Sequence, residues 1–155
     1  MKEITVNGKD YKLEFTFEAS ECKDLVNRMF KIMTMSYIAE DMKDLDEQVT
    51  VKAMLDGAAK QVADTPETCK IAFYAGFLEH NPLTMEETVE IMRSYMKENK
   101  VSYAKLFKEI KEWMETDGFF EISGLNDMIA EMYPETQAKP KKVPQDHKKK
   151  EASTK

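Results

Sequence analysis

The sequence predicts a mainly α protein: an N-terminal β-hairpin, a compact bundle of about five to six helices, and a disordered C-terminal tail. Three observations lead there. Residues 1–18 alternate apolar and polar side chains around an Asn-Gly pair, residues 20–133 repeat apolar side chains every three or four positions, and residues 134–155 have almost nothing to bury. The domain is therefore placed at 1–133 and the Lys/Pro-rich tail at 134–155.

In the first segment Ile4 and Val6 alternate with polar residues, and Tyr11, Leu13, Phe15 and Phe17 continue the period of two. Asn7-Gly8 tolerates positive φ and suits a hairpin turn. Pairing Val6 with Tyr11 and Ile4 with Leu13, across a loop from Asn7 to Asp10, sets the apolar side chains on one face. A lone hairpin is marginal in water, so helices or another chain must cover that face.

Ser20 suits the cap of a helix carrying Cys22, Leu25, Val26, Met29, Ile32 and Met33 at helical spacing. The acidic stretch Glu40–Glu47 reads as a connection. Val51, Met54, Leu55, Ala58 and Val62 form the apolar stripe of a second helix. A new start is expected at Asp64-Thr65-Pro66-Glu67, with Thr65 as cap and proline in the first turn. The helix it opens, Cys69 to Leu78, is apolar nearly all round and is the candidate central helix; it must end before Pro82.

Thr84-Met85-Glu86-Glu87 has the form of a capping box and opens a helix with Met85, Val89, Met92 and Met96 on one face. Ser102 caps the next, where Tyr103, Leu106, Phe107, Ile110, Trp113 and Met114 line up before Gly118. Phe119 and Phe120 fall in a connection. A last helix from Ser123 to Tyr133 turns Leu125, Met128, Ile129 and Met132 inward, and Pro134 closes it.

Charge is divided unevenly. The tail holds seven lysines against three acids, +4, which leaves 16 basic and 26 acidic residues in the body, −10. Phosphate neutralisation needs clustered Lys and Arg, so nucleic acid is not an expected partner. The longest apolar run, Ile71 to Leu78, is far too short to span a membrane. No secretion signal is visible, and a cytosolic setting makes Cys22 and Cys69 ordinary thiols.

Enzymatic chemistry finds no foothold. There is no phosphate loop, dinucleotide fingerprint or HExxH, and the cysteines lack the neighbours of a metal site. His80 precedes Asn81-Pro82 at a helix end, where a structural role is expected, and His147 lies in the tail. Neither a cofactor nor a metal is expected, and no residue is assigned a catalytic role.

Twelve methionines are many for 155 residues. Most fill a helical core, but methionine also suits surfaces that accept apolar helices. The residues selected for partner contact are Tyr11, Phe15 and Phe17 on the hairpin, Met35 and Met42, and Phe119 and Phe120; core packing is an equally good account of each.

The opening EITVNGKDYKL, followed by LEFTFEA and an acidic helical body, resembles the tail assembly chaperones of long-tailed bacteriophages, above all those of Gram-positive hosts, which often begin with an ITINGKEYEL-like hairpin. The specific part of the likeness spans about the first twenty residues. It implies a non-catalytic protein of the host cytoplasm that binds the tape measure protein and keeps it soluble while tail tube subunits polymerise around it. The tail tube protein is then a further partner, and a longer frameshifted product a further expectation. Self-association through the hairpin edge or an apolar helix face is also expected. The alternatives are a structural tail accessory or connector protein of the virion, and an α-rich protein-binding domain of another kind.

Overall fold

The computed structural model describes residues 1–36 and 47–133, with the side chains of 47–50 left aside. Two strands, β1 (Lys2–Val6) and β2 (Lys9–Leu13), precede seven helices among the described residues: α1 (Phe17–Glu21), α2 (Lys23–Met33), α3 (Glu47–Phe77), α4 (Met85–Asn99), α5 (Tyr103–Asp117), α6 (Phe119–Ile122) and α7 (Leu125–Met132). The mainly α class with an N-terminal hairpin is as the sequence predicts. Glu40–Asp46, Met42 and the tail beyond Tyr133 lie outside the described residues.

The hairpin is antiparallel, with Ile4 opposite Tyr11 and Val6 opposite Lys9. Its register therefore differs by two from the expected one. Asn7 and Gly8, at φ 51° and 73°, form a two-residue turn whose twist matches the strands, so the loop is shorter than Asn7–Asp10. A shift of two keeps every side chain on its face, and Ile4, Val6 and Leu13 are buried together as expected. The strand stops at Leu13, however. Phe15 turns into the core and Phe17 opens α1, which also places Ser20 inside that helix, donating its hydroxyl to the Phe17 carbonyl. Cys22, not Ser20, stands at the N-cap of α2.

The largest departure is α3. The stretch 47–77 is one continuous helix with Pro66 inside it, not two helices meeting at Thr65. Proline removes the N–H that would reach the Val62 carbonyl, which normally breaks a helix. Here the Thr65 hydroxyl donates to the Gln61 carbonyl at 2.8 Å and the Thr68 hydroxyl to that of Asp64 at 3.0 Å, so both threonines bond back into the helix. At about 1.5 Å per residue, the rod is about 46 Å long.

The C-terminal half of α3 is the central element. Cys69, Ala72, Phe73, Ala75 and Phe77 are fully buried, and β2, α2, α4 and α5 all pack on the helix. Phe73 collects rings around it: Phe77 at 5.9 Å edge-on, Tyr95 at 6.1 Å and Trp113 at 6.4 Å between centroids. Each fully buried Phe contributes roughly 1.5–3 kcal/mol by leaving water. Gly76 allows the hairpin to touch the helix. A Cβ there would lie 2.9 Å from Phe15 Cζ and 3.2 Å from Leu13 Cδ2.

The capping box at Thr84 forms as predicted. The Thr84 hydroxyl accepts from the Glu87 N–H, and the Glu87 carboxylate accepts from the Thr84 N–H at 2.8 Å. The inward face of α4 is nevertheless centred on Thr88 and Met92, flanked by Ile91 and Tyr95, with Met85 left at the surface. On α5, Leu106, Ile110 and Met114 are buried behind the Ser102 cap as expected. Phe119 and Phe120 form a one-turn helix instead of a connection, both buried, their rings edge-to-face at 5.4 Å. In α7 only Leu125 is buried; Met128 and Met132 are half exposed, against the inward placement expected of them.

Two predictions arise from these elements. The Thr88 hydroxyl is fully buried with no hydrogen-bond partner, so Thr88→Val keeps the shape and removes a desolvated polar group. A gain of about 1 kcal/mol is expected in urea titrations. The backbone N–H of Thr84, followed by its hydroxyl, holds the Glu87 carboxyl below its ordinary value. A lowered folded-state pKa stabilises above the unfolded value of about 4.3 and loses that effect as pH falls through the folded value. The melting-temperature gap between wild type and Glu87→Gln is expected to be widest near neutrality and to close towards pH 3.

Candidate partner-binding surface

The hairpin and the residues just after it are clipped to the end of α3, to the loop that follows it, and to the end of α5. Lys12 N–H donates to Asn81 Oδ1 at 3.0 Å, Glu14 N–H to the Gly76 carbonyl at 2.8 Å, and Phe15 N–H to Asp117 Oδ2 at 3.0 Å. His80 Nε2 meets the Glu14 carboxylate beside them. These contacts give His80 a structural role and occupy the Lys12 N–H on the outer edge of β2 and the two N–H groups that follow the strand. A strand added there would have to displace them, which points recruitment away from that edge.

Of the residues selected for contact, Phe17 and Met35 project into solvent, 69% and 66% exposed. Phe15, Phe119 and Phe120 lie in the core and are not presented at the surface of the folded chain. Tyr11 is half-buried, its ring 5.8 Å from Phe77 and beneath the Lys9 ammonium at 5.0 Å. Met42 lies outside the described residues.

The most extended exposed apolar feature is one the sequence presented as core. Val51, Met54, Leu55 and Val62, with Ala58 between them, run along the N-terminal half of α3, and the four larger side chains are 50–72% exposed. Their spacing of i, i+3, i+4, i+7 and i+11 makes one continuous row. Ala53 and Gly57, on the opposite face, are the buried ones. A second apolar group, Met128, Met132 and Tyr133, lies on and just after α7.

Elsewhere the polar groups serve the fold. Burial, then the hydrogen bond its hydroxyl donates to Glu109 at 3.0 Å, pushes Tyr95 up to about 12 and ties α4 to α5. Burial likewise pushes the Cys69 thiol up to about 12, leaving it protonated and unreactive. A cavity of about 250 Å³ is lined by Asp24, Asn27, Arg28 and Lys31 of α2 with Asp64 of α3, its two bases balanced by two acids. Among the described residues no group of three or more His, Cys, Asp or Glu is placed to hold a metal ion. No described helix is long and apolar enough to cross a membrane.

Comparisons with protein-family models, with curated proteins and with solved structures return no match.

Proposed function

We propose that the chain is a tail assembly chaperone of a long-tailed phage, acting in the host cytoplasm by binding the tape measure protein and keeping it soluble while the tail tube assembles around it. The observation that carries this reading is the exposed apolar row on α3, Val51 to Val62. A row of this kind is what an amphipathic helix of a client needs in order to hide its own apolar stripe. The EITVNGKDYKL opening supports the same reading, and an acidic body keeps such a complex in solution.

Co-expression with a tape measure protein from the same genome tests the proposal. The soluble fraction of the tape measure protein is expected to rise with the chain present and fall with a Leu55→Glu/Val62→Glu variant. Unchanged solubility and tail yield on deleting the protein overturn the reading. Its recovery in stoichiometric amount from purified particles assigns it instead to the virion structure. A slippery heptamer near the Lys148–Lys150 codons, followed by a very long helical reading frame, is the expected gene context.

A further inference from the structure

We infer that the outward row of α3 is a seat for a single amphipathic helix with basic flanks, and not a self-association face. This deepens the chaperone reading and rests on it only for the client's identity. Two observations bear on the occupant: area limits the row to weak, reversible pairing, and charge separates a second copy from a basic helix. The first is area. Fully burying an aliphatic side chain removes roughly 60–120 Å² from water, so four such side chains, already partly covered, offer at most roughly 300 Å² per chain. Pairing two copies through the row therefore buries at most about 600 Å², no more than half of the ~1,200 Å² at which stable dimers begin.

The second observation is charge. Each chain carries −6 in all, −10 on residues 1–133 and +4 on the tail, so two acidic bodies repel as they approach, whereas a helix with lysines beside its apolar stripe is drawn in. Along the row Lys52, Asp56, Lys60 and Asp64 balance, so the attraction comes from the field of the whole body and the docking energy from the row. Small area and long-range attraction together favour fast capture and ready release, which suits a client that must later leave.

The probe is a synthetic helical peptide of about 22 residues, about 33 Å long and so longer than the row, with leucines on one stripe and lysines beside it. A second peptide carries glutamates in place of those lysines. Both are titrated into the full chain and its Leu55→Glu and Val62→Glu variants by fluorescence anisotropy, with light scattering for mass. Because both positions are exposed, circular dichroism and melting temperature are expected to stay at wild-type values.

The lysine peptide is expected to bind wild type at least tenfold tighter than the glutamate peptide, and to lose at least tenfold on either substitution. The substitutions make the protein more acidic, so an attraction due to charge alone grows stronger in them. Binding that holds or tightens in the variants therefore overturns the seat, as does equal binding of the two peptides. A wild-type dimer at micromolar concentration that Leu55→Glu converts to monomer overturns it in favour of a second copy. Should the lysine peptide behave as expected while the tape measure protein gains no solubility from co-expression, the seat stands and the chaperone reading falls.

Discussion

Phe15→Ala is expected to cost about 3–5 kcal/mol, a large part of the stability of a domain this size. The ring is fully buried and lies directly over Gly76, with its Cζ only 2.9 Å from where a Cβ would stand. Removing it leaves a cavity between the hairpin and α3 that neither the paired strands nor the central helix can close. Gly76→Ala acts on the same contact from the other side. Overpacking there costs about 1–3 kcal/mol, offset by about 1 kcal/mol of helix propensity. In the double variant the new methyl enters the space the ring has left, so the combined cost is expected to fall short of the sum by about 1–2 kcal/mol. Urea unfolding followed by the emission of Trp113, the one tryptophan, measures all four corners of this cycle. Strict additivity contradicts the contact as described.

Asp117→Ala is expected to cost about 2–4 kcal/mol for a different reason. The Asp117 side chain is 4% exposed at the end of α5, where one oxygen accepts the Phe15 N–H at 3.0 Å and the other meets the Met1 ammonium. Alanine leaves a buried N–H with no acceptor just where the chain leaves the hairpin for α1. Asp117→Asn keeps an acceptor of the same shape, so it is expected to recover more than half of the loss. Chemical denaturation of both variants separates the hydrogen bond from the charge. Equal losses in the two variants make the charge, not the bond, the stabilising part.

Much of the fold is legible in the sequence because its signals are local. Asn7-Gly8, the Thr84 and Ser102 caps and the apolar run to Leu78 each state a backbone conformation or a buried face without reference to distant residues. The failures share a cause as well. A shift of two in the hairpin leaves the alternation unchanged, so the pattern alone cannot choose between the registers; the geometry of the turn does. Asp64-Thr65-Pro66-Glu67 reads the same as a helix start or as a proline tolerated inside a helix, and side-chain bonds from Thr65 and Thr68 accompany the second outcome.

The candidate surface was less legible. Periodicity marks Val51, Met54, Leu55 and Val62 as one face of a helix but does not say what covers it, and core is the ordinary answer. Phe119-Phe120 shows the reverse error: the pair looked like an exposed connection because a single turn of helix between two glycines has no periodicity to detect. Exposure of Phe17 and burial of Phe15, two residues apart, depended on where the strand ended.

The uninterrupted course of α3 through Pro66 has a consequence for how the protein opens. One rod in shape, it consists of two units in cooperativity, because the ladder lacks a rung at the Val62 carbonyl and the buried ring cluster holds only the C-terminal half. Amide protons of residues 69–77 are expected to exchange only on global unfolding, and those of residues 51–61 through a cheaper, separate fraying. A client on the row would slow the second class and leave the first untouched, making deuterium uptake along a single helix a gauge of occupancy.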